Sequence, residues 1–210
     1  ECGNAISEHY DNLINFKGPH GSYKHKKLLY LCMISIYILE GIRFYVSFAC
    51  SWAFAELKQM EGNAKIIKLI ARDENLHLAA SLNIIRTLIK DDKDFVQIKE
   101  ETEHEVMQLF EDALVQEEEW CDYLFGNGSM IGLNAELLKE YVRWIGAKRI
   151  KALSYHVPFH THLHNPLPWT EKWISGGAVQ VAPQETEITS YVLGGITQDI
   201  DKSSFEGLSL

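Results

Sequence analysis

Between Leu28 and Ala55 the chain is almost continuously apolar and holds no proline. Strands usually run to about 3–10 residues, so this stretch predicts a helix, and one that is apolar on most of its sides. Its length would also cross a bilayer. Glu40 and Arg43, however, stand near its middle, and each would cost about 2.5–3.5 kcal/mol at the centre of a membrane helix. A helix buried inside a soluble bundle accommodates the same composition, with no membrane partner expected. It leaves one demand open: Glu40 is a carboxylate in apolar surroundings and needs a reason to be there.

The flanking sequence supplies helices to pack against it. Ile6, Tyr10, Leu13 and Ile14 at helical spacing predict a short helix over residues 4–16, closed by Lys17-Gly18-Pro19. The apolar helix is expected over 26–56, with Glu61-Gly62-Asn63 as the break that follows it. From Ala64 an apolar stripe through Ile67, Ile70, Leu78, Leu82 and Ile85 predicts a helix to Ile89, and Lys90 to Asp94 reads as a solvated loop. Residues 95–125 form one amphipathic pattern with an acidic outer face, ended by Gly126-Asn127-Gly128-Ser129, and a further helix is expected over 134–155. From Pro158 the helical period is lost, and four of the five prolines lie there. The organisation expected is a helical bundle portion at 1–157, then an irregular segment and a flexible polar tail at 158–210.

Composition narrows the function class. The net charge of −9 disfavours a phosphate-binding surface, so no nucleic-acid partner is expected. Cys2, Cys32, Cys50 and Cys121 form no Cys-x-x-Cys pair, which makes a reduced, cytoplasmic setting the expectation.

Candidate chemistry gathers on the helix after the break. Glu74 and His77 are three residues apart and share a helix face. Glu-x-x-His is the pairing that helical bundles use in carboxylate-bridged dinuclear metal sites. On the preceding helix Glu40, Phe44 and Phe48 share a face. Antiparallel packing of the two helices would bring Glu40 towards Glu74 and His77, with phenylalanines alongside. Spacing leaves two alternatives: half of a dinuclear metal site, or ion pairs of Glu40 with Arg43 and of Glu74 with Arg72. A second Glu-x-x-His, Glu101 to His104, lies in a charged run and reads as a solvated face. His160, His162 and His164 alternate in a proline-bounded loop and read as surface histidines, while Trp120, Trp144, Trp169 and Trp173 read as core or interface anchors.

Longer motifs separate these alternatives. The runs Leu39 to Ser51 and Met60 to Glu74 with His77 closely resemble the small (beta) subunit of class I ribonucleotide reductase. So do, in order, Asp122 to Phe125, Gly128 to Asn134, Asn165 to Trp169 and Val179 to Glu185. The resemblance covers essentially the whole chain and implies an all-α, ferritin-like helical bundle, present in part, with an extended, largely disordered C-terminal tail. It implies that Glu40, Glu74 and His77 are metal ligands of a dinuclear iron or manganese centre. It further implies that Phe44, Phe48 and Ile70 line the apolar pocket of a radical-bearing tyrosine, and that Asp73 links the metal site to a radical-transfer path. Tyr191 and Glu185 match the tail residues of that relay, and the terminal peptide with Phe205, Leu208 and Leu210 matches the segment that docks on the large (alpha) subunit.

The resemblance also marks what to expect outside these residues. The family's remaining ligands, an aspartate and another Glu-x-x-His, lie upstream together with the radical tyrosine and a tryptophan of the path, and nothing here matches them. The chain therefore matches the carboxy-terminal part of such a subunit, with the centre completed by ligands outside it, either on a separate upstream half or in a longer form of the chain. The activity implied is reduction of ribonucleoside diphosphates for deoxyribonucleotide synthesis, by a homodimer of the complete small subunit with the large subunit. Two other classes share part of the pattern: a ferritin-like di-iron carboxylate oxidase, and a metal-free fragment that docks on the large subunit.

Overall fold

The computed structural model describes residues 2–174. All the long elements among them are helices: α1 (Cys2–Ile14), α2 (Tyr23–Ile38), a π-helical turn (Leu39–Arg43), α3 (Tyr45–Glu56), α4 (Glu61–Asp91), α5 (Lys93–Glu101), α6 (Glu103–Phe125), α7 (Ala135–Ala152) and a short α8 (Glu171–Ile174) behind a 3-10 turn at Pro168–Thr170. Glu185, Tyr191, Phe205, Leu208 and Leu210 lie outside the described residues, as does the expected tail.

The apolar stretch that opens the argument forms the central rod of the bundle. Tyr30, Ile34, Tyr37, Ile42, Val46, Ala49 and Trp52 are buried along it, and α1, α4, α5, α6 and α7 pack around it. The residues from Tyr23 to Glu56 are long and apolar enough to span a membrane by composition, but here their apolar faces are spent on helix–helix contacts.

Four boundaries differ from the sequence expectations, each for a local reason. The rod is interrupted by the π turn, which adds a residue to one turn and rotates all that follows. The break after α3 falls at residues 57–60 rather than at Glu61-Gly62-Asn63, because Lys58 (φ 61°) and Met60 (φ 50°) take the left-handed conformation. Neither residue type signals that geometry. The expected loop at Lys90 to Asp94 shrinks to one residue: α4 runs to Asp91, and Asp92 caps α5 by accepting from the Asp94 N–H at 2.9 Å. Lys26 then ties this corner to α2 through Asp92 and Asp94, both at 2.6 Å. Residues 95–125 divide at Thr102, which is fully buried and turns its hydroxyl back onto the Ile98 carbonyl at 2.7 Å, competing with the helical ladder.

The α6–α7 crossing closes the bundle. Arg143 grips Glu111 and Glu118 of α6 from α7, and Gly146 lets the helices approach. A Cβ at Gly146 would lie 2.8 Å from Leu114 Cδ2 and 3.1 Å from Cδ1, and Leu114 is itself fully buried. Alanine normally gains about 1 kcal/mol over glycine within a helix. Overpacking of this kind costs about 1–3 kcal/mol, so Gly146→Ala is expected to lower stability by about 1 kcal/mol in urea unfolding.

Candidate metal centre

The π turn and α4 bring the expected ligands together. Glu40, inside the π turn, and Glu74 and His77, on α4, place one ligand atom each within 4.8 Å of one another. His77 Nδ1 lies 3.3 Å from Glu74 Oε2, the contact expected of residues three apart on one helix. Ser81, a further turn along, has its hydroxyl 2.9 Å from both Glu40 Oε2 and the His77 carbonyl. Its single proton can go to either. Through Ser81, α4 holds the Glu40 carboxylate as well as contributing two ligands of its own.

For Glu74 the ion-pair alternative fits less well. Arg72 donates two hydrogen bonds to Asp73, at 3.1 and 3.2 Å, and so turns to its sequence neighbour rather than to Glu74. Arg43 reaches across to α6 and donates to Gln116 at 2.8 Å. Two carboxylates and an imidazole then converge with a serine as support. That donor set, hard oxygens with one nitrogen, suits iron or manganese. Among the described residues it is also the only group of three or more such side chains close enough to share an ion.

The apolar wall is present in part. Phe44 and Phe48 stack with ring centres 5.9 Å apart, and Phe48 continues to the fully buried Trp52 at 5.6 Å. Ile70 is 42% exposed. It belongs to a stripe along α4 that runs through Ile66, Ile70, Asp73, His77 and Ile84, all exposed. The ligand cluster thus adjoins a partly apolar stripe of α4 that the described residues leave uncovered. Tyr45, next to Phe44, is buried; burial raises its phenol pKa against the opposing pull of Arg149.

The other candidates resolve simply. Glu101 and His104 lie on different helices, because the break at Thr102 falls between them; Glu101 accepts from the Tyr23 hydroxyl at 2.8 Å, and His104 is exposed. His160, His162 and His164 are exposed, and His162 pairs with Glu140 at 3.2 Å. Trp120, expected as a core or interface anchor, is 40% exposed and stacks on Tyr123. Ser81 was not singled out from the sequence, although its place four residues after His77 put it on the same stripe of α4.

The chain is similar to known proteins of one family. A family model for the small chain of ribonucleotide reductase matches residues 5–166. The chain is 50% identical to the ribonucleoside-diphosphate reductase 1 subunit beta of Salmonella typhimurium, over 98% of this chain and 60% of that protein. It is 46% identical to the subunit beta of Haemophilus influenzae, over 98% of this chain and 59% of that one. Among solved structures, the ribonucleotide reductase R2 subunit from Clostridium botulinum superposes with a TM-score of 0.72 at 25% identity, covering 82% of this chain and 51% of the other. The chain belongs to the ribonucleotide reductase small-chain family, and its fold is the helical, ferritin-like fold of that family. Membership implies a dinuclear metal site. The chain spans about 60% of the length of the curated relatives it matches.

Proposed function

We propose that this chain is the carboxy-terminal part of a ribonucleoside-diphosphate reductase small subunit, in which Glu40, Glu74 and His77 hold one side of a dinuclear iron or manganese centre. The observation that carries this reading is the convergence of these three ligands from two helices within 4.8 Å, in a chain whose family holds such centres. When bound, the metal pair would react with dioxygen as the oxidant, and the tyrosine would give up one electron and one proton to become the radical.

This chain's own residues do the remaining work on their side. Ser81 orients the Glu40 carboxylate. Phe44, Phe48 and Trp52 keep that flank apolar and exclude water. Asp73 is exposed on the α4 stripe beside Glu74, held by Arg72, and on this reading it meets a group packed onto that surface. The rest of the reading follows the family resemblance. Further helices cover Ile66, Ile70 and Ile84 and bring the remaining ligands, Ile70 closing the radical pocket only then. The complete subunit is a homodimer, and Glu185, Tyr191 and the terminal Phe205, Leu208 and Leu210 serve transfer to, and docking on, the large subunit. A reduced, cytoplasmic setting belongs to the same reading; Cys32, Cys50 and Cys121 are free thiols.

The test is reconstitution. The chain is combined with a polypeptide corresponding to the part of the Salmonella relative that it does not match, then loaded with ferrous iron and dioxygen. A tyrosyl-radical signal by electron paramagnetic resonance, and nucleotide reduction once large subunit is added, are expected only from the combination. A radical formed by this chain alone, or none from the combination, would overturn the proposal.

A further inference from the structure

Arg149, on α7, reaches the π turn that carries Glu40 directly and, through Tyr45, the helix that carries Glu74 and His77. Its Nε donates to the Gly41 carbonyl at 3.2 Å, one residue beyond Glu40 and inside the π turn. Its Nη2 donates to the Tyr45 hydroxyl at 3.0 Å. Tyr45 passes the link on, donating to Asn75 Oδ1 at 3.0 Å, and Asn75 sits next to Glu74. Asn75 is itself fixed to α4, because its Nδ2 donates to the Ala71 carbonyl at 2.9 Å. These hydrogen bonds form an unbroken path from the backbone beside Glu40 to the residue beside Glu74.

Two further features show that the path is built into the packing. A Cβ at Gly41 would lie 2.9 Å from Leu78 Cδ1 and 3.3 Å from Arg149 Nε, so glycine at this position leaves the room in which the guanidinium reaches the carbonyl. Arg149 is anchored from the other side as well: the Tyr37 hydroxyl donates to its backbone carbonyl at 3.2 Å. A π turn departs from the regular helical hydrogen-bond ladder, and its carbonyls still require donors. An external donor at Gly41 meets that need at the turn where the position of Glu40 is set.

We propose that Arg149, acting through Tyr45 and Asn75, is a positioning residue that fixes the spacing between Glu40 and Glu74. The proposal rests on the assignment of Glu40, Glu74 and His77 as metal ligands. Neither Arg149 nor Tyr45 touches the metal in this scheme; their effect passes through the backbone at Gly41 and the side chain of Asn75.

The experiment compares two deletions of a single buried hydroxyl in the full 210-residue chain. Tyr45→Phe cuts the path. Tyr30→Phe removes an equally buried hydroxyl, bonded to Tyr155 at 2.9 Å, that has no part in it. Cobalt(II) is the probe, read by its visible absorption and its dissociation constant. Loss of an outer-shell partner costs metal affinity about 10–100-fold, so Tyr45→Phe should weaken cobalt binding about tenfold and alter the spectrum. Tyr30→Phe should change neither, even where both variants lose similar thermal stability. Arg149→Lys, which keeps the charge but not the forked donor, should behave as Tyr45→Phe does. Identical cobalt affinity and spectra in the two tyrosine variants would overturn the positioning role. Failure of the unaltered chain to bind cobalt, both alone and combined with the polypeptide that supplies the unmatched part of the relative, would instead overturn the ligand assignment. In that case hydrogen exchange at the amides of residues 39–46 decides the brace: faster exchange in Tyr45→Phe than in Tyr30→Phe supports it, and equal rates overturn it.

Discussion

Glu74→Ala should abolish metal binding at the Glu40, Glu74 and His77 cluster while leaving the metal-free protein at least as stable as before. Both halves of this expectation come from one geometric fact. The ligand atoms of the two carboxylates lie within 4.8 Å of each other, so without a cation they repel. At that distance the repulsion is about 1 kcal/mol in a water-like dielectric and about 3 kcal/mol at an effective dielectric of 20. Removing one carboxylate relieves it and, among the described residues, breaks the 3.3 Å approach of His77. With metal present the sign reverses. A ligand at 100 times its dissociation constant stabilises the native state by about 2.7 kcal/mol, and only the unaltered chain can gain this. Thermal unfolding with and without manganese(II) or cobalt(II) therefore checks the assignment. The unaltered protein should shift upward on metal addition, Glu74→Ala should not shift, and His104→Ala, on the exposed face of α6, should respond as the unaltered chain does. A metal-dependent shift that survives Glu74→Ala would place the ion elsewhere.

Much of this arrangement was legible in the residues. The apolar stretch around Glu40 could only be a buried helix, and the Glu-x-x-His spacing put Glu74 and His77 on one face. What spacing could not decide was the partner of Glu40, since Arg43, three residues on, is a ready neighbour for an ion pair. The π turn changes that local geometry, and nothing in Leu39-Glu40-Gly41-Ile42-Arg43 announces it. Ser81 was within reach of the sequence, being in phase with His77. Arg149 was not, because it reaches Gly41 from a helix more than a hundred residues away. The misplaced boundaries have the same character. Left-handed Lys58 and Met60, and the back-bonded hydroxyl of Thr102, are tertiary choices that override local propensity. The exposure of Ile70 is intelligible from sequence and structure together. Its apolar stripe is well formed, and on the proposed reading the elements that cover it lie in the part of the relatives this chain does not match.

The second large effect concerns a group with no part in the metal centre. Glu117, on α6, is 6% exposed, and its Oε2 has no hydrogen-bond partner. Burial pushes its carboxyl up to about 7, against the opposing charge of Arg43 at the end of the π turn. The thiols of Cys121, one turn further along α6, and Cys50, on α3, are pushed up to about 12 and about 11 by burial, and so carry no charge near neutral pH. Because the folded pKa is raised, the native state keeps a proton that the unfolded chain loses above about 4.5. Stability therefore falls as pH rises from about 4.5 to about 7, and the loss is complete above that range. At about 1.4 kcal/mol for each pH unit of that interval, the loss is capped at roughly 3 kcal/mol. Glu117→Gln keeps the size and polarity of the side chain but cannot ionise. Its stability relative to the unaltered protein should be nearly level at pH 4.5 and rise to an advantage of roughly 2–3 kcal/mol at pH 8, or several degrees in melting temperature. Every other carboxylate titrates alike in the two proteins and cancels from the difference. A difference that stays constant from pH 4.5 to 8 would show that Glu117 is ionised in the fold throughout, with Arg43 as its effective counter-ion.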